Sequence, residues 1–79
     1  PAATSNDDLF ERLRLLRLAI SMEESIPAYL VFNDATLKEI AEEQPTDKQE
    51  FLQINGVGQR KLDVYGGRFI EAVKAYQDR

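Results

Sequence analysis

Seventy-nine residues with a net charge of −4, 43% of them hydrophobic and none of them cysteine or histidine, make one small domain near the lower size limit for a self-sufficient core. The missing residue types exclude disulfides, thiolate metal sites and nucleophile–imidazole catalysis within the chain, and they leave a zinc hydrolase without its usual ligands. No apolar run approaches the roughly 20 residues of a membrane span, nothing resembles a signal peptide, and the absence of cysteine fits a reducing, cytoplasmic setting.

The chain begins at Pro1 rather than methionine, so it reads as a piece of something longer. Pro1 to Asn6 is small and polar, as expected of a linker remnant. Asp7 to about Ser25 reads as a helix, with acids in its first turn and neither proline nor glycine inside. Leu9, Leu13, Leu16 and Ile20 recur on one face and are expected in the core. Pro27 ends that helix and suits the start of one short helical turn through Leu30. Asn33 or Asp34 then caps a helix that points Leu37, Ile40 and Ala41 inward and stops before Pro45. Thr46, with Gln49 three residues on, predicts a capping box for a short helix burying Phe51, Leu52 and Ile54. Gln59 to Tyr65 reads as a further helix, disturbed at Gly66-Gly67. Helix resumes from Arg68 to about Gln77 with Phe69, Ile70 and Val73 inward, leaving residues 78–79 as a tail. No stretch alternates with period two. The expected fold is therefore all-α, a compact bundle of about five short helices with a helix-hairpin-helix-like Gly-x-Gly turn.

That turn, Ile54-Asn55-Gly56-Val57-Gly58, opens onto a helix carrying Arg60 and Lys61. The first N–H groups of a helix lack internal partners and carry partial positive charge, so such a turn can seat a phosphate. The same glycines equally serve a tight connection that needs positive φ. Charge is unevenly spread: residues 1–31 carry −2, residues 32–55 carry −4 and residues 56–79 carry +2. The middle repels phosphate and the last third attracts it, which permits local anion contact without tight binding by bulk electrostatics.

Ile26-Pro27-Ala28-Tyr29-Leu30-Val31-Phe32-Asn33-Asp34-Ala35-Thr36-Leu37, followed by Gly56-Val57-Gly58, Lys61 and Tyr65-Gly66, resembles the helicase-and-RNase-D C-terminal (HRDC) domain. The resemblance covers roughly Asp7 to Gln77 and is nearest the version in bacterial RecQ-type DNA helicases, with the RNase D branch as the less favoured parent. It implies a compact, non-catalytic accessory module linked to an ATP-driven motor. The motor would use ATP and magnesium, while the module itself would need no cofactor. The implied role is tuning how the motor engages single-stranded and branched DNA in recombination and repair.

By the same resemblance, Tyr29 falls where related domains expose an aromatic ring that stacks on an unpaired base; the bland alternative is a tyrosine packed beside Pro27. Gly56, Val57, Gly58, Arg60 and Lys61 fall on the family's hairpin and the helix after it, where Lys61 also suits a structural role with its stem packed and its charge in water. Leu15 and Leu18 depart from the pattern. They point away from the core stripe, where related domains often carry charged residues. Together with Arg14 and Arg17 they form a candidate protein-contact patch, although isolated exposed leucines are ordinary. Glu39, Glu42 and Glu43 share a helix face; a divalent-metal reading exists, but a solvated acidic face is the default.

Two functions follow. One is a regulatory domain with weak or no DNA affinity, acting through the parent helicase core or another repair protein. The other is a direct single-strand binder using Tyr29, Arg60, Lys61 and the hairpin amides. Nothing in the sequence requires a dimer, so a monomer is expected.

Overall fold

The computed structural model describes the backbone of residues 2–78 and the side chains of residues 7–78. Helix α1 (Ala2–Glu24) starts earlier than the sequence suggested, so helical backbone already runs through most of the segment read as a linker remnant. Pro1, Arg79 and the side chains through Asn6 lie outside the described residues. At 1.5 Å per residue α1 is about 34 Å long, which accounts for the molecule's 36 Å long axis. Ser25 ends it in the left-handed conformation (φ 58°), with Ile26 N donating to Ser21 O at 3.0 Å in the pattern of a Schellman motif. Pro27 follows and opens a single 3₁₀ turn (Ala28–Leu30).

Asn33 caps α2 (Asp34–Glu43), its side chain accepting from Thr36 N at 2.8 Å. Gln44 (φ 48°) closes that helix before Pro45. Helix α3 (Lys48–Leu52) is capped one residue later than the sequence pattern suggested. Asp47 Oδ1 accepts from Glu50 N at 2.8 Å, and Glu50 Oε1 accepts from Thr46 N at 2.9 Å. Asp47 is therefore the N-cap in place of Thr46, and Glu50 reaches back past it to the Thr46 N–H, a variant of the expected capping box. Phe51 and Ile54 are buried as expected, whereas Leu52 is exposed.

Past the turn, α4 (Gln59–Lys61), a π-helical stretch (Leu62–Gly66) and α5 (Gly67–Gln77) run on without a break. The expected disturbance at Gly66-Gly67 is a widened turn rather than an interruption. A Cβ on Gly66 would meet Leu62 Cδ1 at 2.6 Å, so glycine is what lets the wide turn close over the buried Leu62. No strand occurs among the described residues, and the all-α expectation holds.

The core is one cluster. Leu9, Leu13 and Ile20 enter from α1, Leu37, Ile40 and Ala41 from α2, and Phe69, Ile70, Val73 and Tyr76 from α5. Leu16 packs against its edge. Phe32 lies at the centre, with ring centroids 5.0 Å from Phe69, 5.9 Å from Phe51 and 6.2 Å from Tyr65. These tilted and edge-on arrangements suit aromatic quadrupoles.

Candidate nucleic-acid interface

Tyr29 is held out by local geometry. The 3₁₀ turn after Pro27 is bounded by buried Val31 and Phe32, which pin its end to the core and leave Tyr29 65% exposed. Packing beside Pro27 does not bury it. Two residues hold the loop from behind: Phe32 through its ring and Arg17 through its guanidinium. Arg17 Nη1 donates to Phe32 O at 3.0 Å and lies 2.8 Å from Asp34 Oδ1.

This corrects the sequence reading of Arg17 as a member of the exposed patch. At 8% exposure it faces inward and clamps α1 to the start of α2, and its Nε finds no partner among the described residues. The reason is its place on the helix. Arg17 follows Leu13 by four residues and precedes Ile20 by three, so it flanks the buried stripe.

In the hairpin, Gly56 has φ +91°, and a Cβ there would overlap Thr36 Oγ1, so glycine is required twice over. Gly58 is different. Its φ of −92° suits any residue, and a Cβ on it would meet nothing within 4 Å. Val57 is buried and pins the turn, its N–H donating to Ile54 O at 3.1 Å.

Arg60 is exposed and Lys61 half-buried. Lys61 Nζ sits 5.7 Å from the centroid of the Phe32 ring, a cation–π contact that gives this lysine a structural task. Because Phe32 follows Tyr29 by three residues, the same contact sets α4 beside the Tyr29 loop. The exposed aromatic and the two cations of α4 are thus carried by touching segments.

Much of the positive charge is engaged within the molecule. Arg14 Nε bonds Glu11 Oε1 at 3.0 Å and Arg68 Nη1 bonds Glu23 Oε1 at 2.9 Å. The hydrogen bond from Arg68 holds the Glu23 carboxyl below its ordinary value, and the hydrogen bond to Glu11 raises Arg14 above its own. Both pairs are open to solvent and add little to stability. Arg12 lies 5.4 Å over the Tyr76 ring.

Leu15 and Leu18 are 59% and 50% exposed, and Met22, missed in the sequence, extends the stripe at 72%. Its spacing, four residues beyond Leu18 and seven beyond Leu15, was the signal available. The acids of α2 differ in role. Glu39 reaches across to Asn55, while Glu43 borders a groove with Glu50 over Pro45 and Ile54. Among the described residues no three acids are placed to hold a metal ion, and no helix is long and apolar enough to cross a membrane.

Known proteins match this sequence and fold closely. A family model described as the HRDC domain matches residues 6–73. The chain is 47% identical over 75 residues to the ATP-dependent DNA helicase RecQ of Bacillus subtilis, covering 95% of this chain and 13% of that protein. It is 41% identical over 73 residues to the ATP-dependent DNA helicase UvrD2 of Mycobacterium tuberculosis, covering 92% of this chain and 10% of that protein. Among solved structures, HRDC domain 3 of D. radiodurans RecQ superposes with a TM-score of 0.90 at 35% identity, covering 94% of this chain and 97% of that one. The chain thus spans only about an eighth of the length of its RecQ relative.

Proposed function

The chain belongs to the HRDC-domain family, and from that premise we propose that it is a non-catalytic accessory domain of a RecQ-type DNA helicase. In that role it tunes which DNA structures the ATP-driven motor engages, in recombination and repair. It works as a monomer, takes no cofactor of its own and acts through two weak surfaces. One is a single-strand contact at Tyr29 and the first turn of α4, with Arg60, Lys61 and the Gly58 end of the Gly56–Val57–Gly58 turn. The other is a protein contact along Leu15, Leu18 and Met22, flanked by Arg14, that docks the parent helicase core or another repair protein. The observation that carries the reading is that two different elements hold apolar side chains out to solvent. The exposed apolar stripe lies on the outer face of α1, while the exposed ring lies on a loop pinned to α4. The net charge of −4 keeps any DNA contact weak, in the range of about 10⁻⁴ to 10⁻⁶ M typical of non-specific binding.

Titration of the 79-residue chain with labelled single-stranded and partial-duplex DNA at low salt tests the first surface. Stacking on an aromatic is worth about 1–3 kcal/mol per base, so Tyr29→Ala is expected to weaken single-strand binding at least about fivefold while the fold stays intact. Unchanged affinity would remove Tyr29 from the interface.

For the second surface, Leu15→Lys with Leu18→Lys replaces exposed side chains and should shift stability by no more than about 0.5 kcal/mol. The same pair, placed in the full-length helicase, is expected to alter its preference between branched and single-stranded DNA. Unaltered activity and preference would end the docking idea. The exposure of Tyr29 also supports a second reading, a direct single-strand DNA-binding module. Micromolar binding that both Tyr29→Ala and Lys61→Ala abolish favours it over the regulator.

A further inference from the structure

The hairpin is fastened to α2 by two side chains, and one of them changes what the hairpin can receive. Thr36 Oγ1 donates to Asn55 O at 3.0 Å. Glu39, almost one turn further along α2, accepts from Asn55 N through Oε2 and from Asn55 Nδ2 through Oε1, both at 3.2 Å. A carboxylate that collects a backbone N–H and an adjacent amide N–H in this two-pronged way fills the role a phosphate's oxygens would play at such a turn. The arrangement lies at the surface. Thr36, Glu39, Asn55 and Gly56 help line a shallow cleft of about 270 Å³, so an anion approaching Gly56 from solvent meets the carboxylate. Glu42 and Glu43 follow on the same helix, and exposed Arg60 lies just beyond the turn.

We infer that Glu39 is a specificity-determining residue, an internal anion that holds the Asn55 end of the hairpin and turns phosphate away from it. It thereby leaves nucleic-acid contact to base stacking on Tyr29 and to the Gly58 end of the turn with Arg60 and Lys61. The inference rests on the DNA-contact reading above and deepens it. The hairpin keeps the geometry that the Gly56 turn demands, yet its first amide is already spoken for and the charge beside it has the wrong sign for DNA. Glu39 then weakens binding locally, in addition to the domain's overall acidity.

Titrating the 79-residue chain with a fluorescein-labelled oligothymidylate at several salt concentrations tests this, with a thermal melt on every variant. Glu39→Gln removes the charge and keeps one carbonyl oxygen as an acceptor, while its amide nitrogen, a donor, takes the place of the oxygen that faced the second Asn55 N–H. It is expected to bind about three- to tenfold more tightly, the effect of one unit charge a few ångströms from a phosphate in water. The slope of log K against log salt should steepen by about 0.7, as one further phosphate is met on a single strand. Glu39→Asp retains the charge on a shorter stem and should bind as weakly as the wild type. Glu42→Gln makes the same change in net charge elsewhere on the helix and should stay within about twofold of wild type, being further from the turn and screened.

Equal gains from Glu39→Gln and Glu42→Gln would mean bulk charge alone is at work and would overturn the inference. A gain from Glu39→Asp would mean that loosening the turn matters, and would overturn it equally. No gain from Glu39→Gln, or no detectable binding by either wild type or Glu39→Gln, overturns it too. Tyr29→Ala in the same titration reports separately on the stacking reading. That reading can fail while the ratio between Glu39→Gln and wild type stands.

Discussion

Phe69→Ala is expected to cost about 3–5 kcal/mol and so to remove a large share of the chain's stability. A domain of this size has about 4–12 kcal/mol of stability in total, so a single truncation of this kind removes much of it. The side chain is fully buried in α5 and stands edge-on to Phe32 at 5.0 Å. Removing it strips one wall from the ring cluster that also contacts Phe51 and Tyr65. Collapse cannot refill the space cheaply, because Phe32 is held from behind by Arg17 on its carbonyl oxygen. Urea denaturation followed by far-UV circular dichroism checks the expectation through a lowered midpoint at constant slope. A midpoint equal to that of the wild type would show that the Phe32–Phe69 contact carries no weight in the fold.

The residues that repeat on helical faces were legible in the sequence. Leu9, Leu13 and Ile20, then Leu37, Ile40 and Ala41, then Phe69, Ile70 and Val73 are all buried, because period alone marks them. Phe32 was not legible as the hub. It lies in the loop between the 3₁₀ turn and α2, where no periodicity marks burial. The helix ends at Ser25 and Gln44 were legible only through the prolines that follow, since neither residue is the glycine that usually announces a left-handed cap. Leu52 shows the limit of reading short helices: in five residues a face is barely defined, and the turn at Ile54 decides which side is covered.

Of the candidate site, the exposure of Leu15 and Leu18 was legible from the back of an amphipathic helix, whereas that of Tyr29 was expected only through the family resemblance, the residues alone allowing it to pack beside Pro27. The engagement of Glu39 was not legible. Its partner Asn55 is 16 residues away, and no local pattern joins the two. The metal and solvated-face readings of the acidic triad both missed that one of its members is a turn anchor.

Arg17→Ala carries the second large effect, about 2–3 kcal/mol, because it removes a charge-assisted hydrogen bond to a buried carbonyl, and such bonds are worth about 1.5–3 kcal/mol. Most of the loss should come from Phe32 O and little from the ion pair. Asp34 is 79% exposed on its side chain and is readily solvated once Arg17 has gone, so no charge is stranded in the core. Asp34→Ala should therefore cost no more than about 1 kcal/mol. Arg17→Met should be milder than Arg17→Ala, since both remove the unpartnered Nε but only methionine keeps a stem that packs.

The Tyr29 loop should respond as well. Phe32 O is the loop's tether to α1, so freeing it raises the cost of presenting Tyr29 in one place, and single-strand affinity should fall in Arg17→Ala even below its melting transition. Measuring stability and oligothymidylate binding on Arg17→Ala, Arg17→Met and Asp34→Ala separates these contributions. If Asp34→Ala costs as much as Arg17→Ala, the ion pair rather than the carbonyl tether positions the loop, and the stacking surface owes its shape to a different bond than the one proposed.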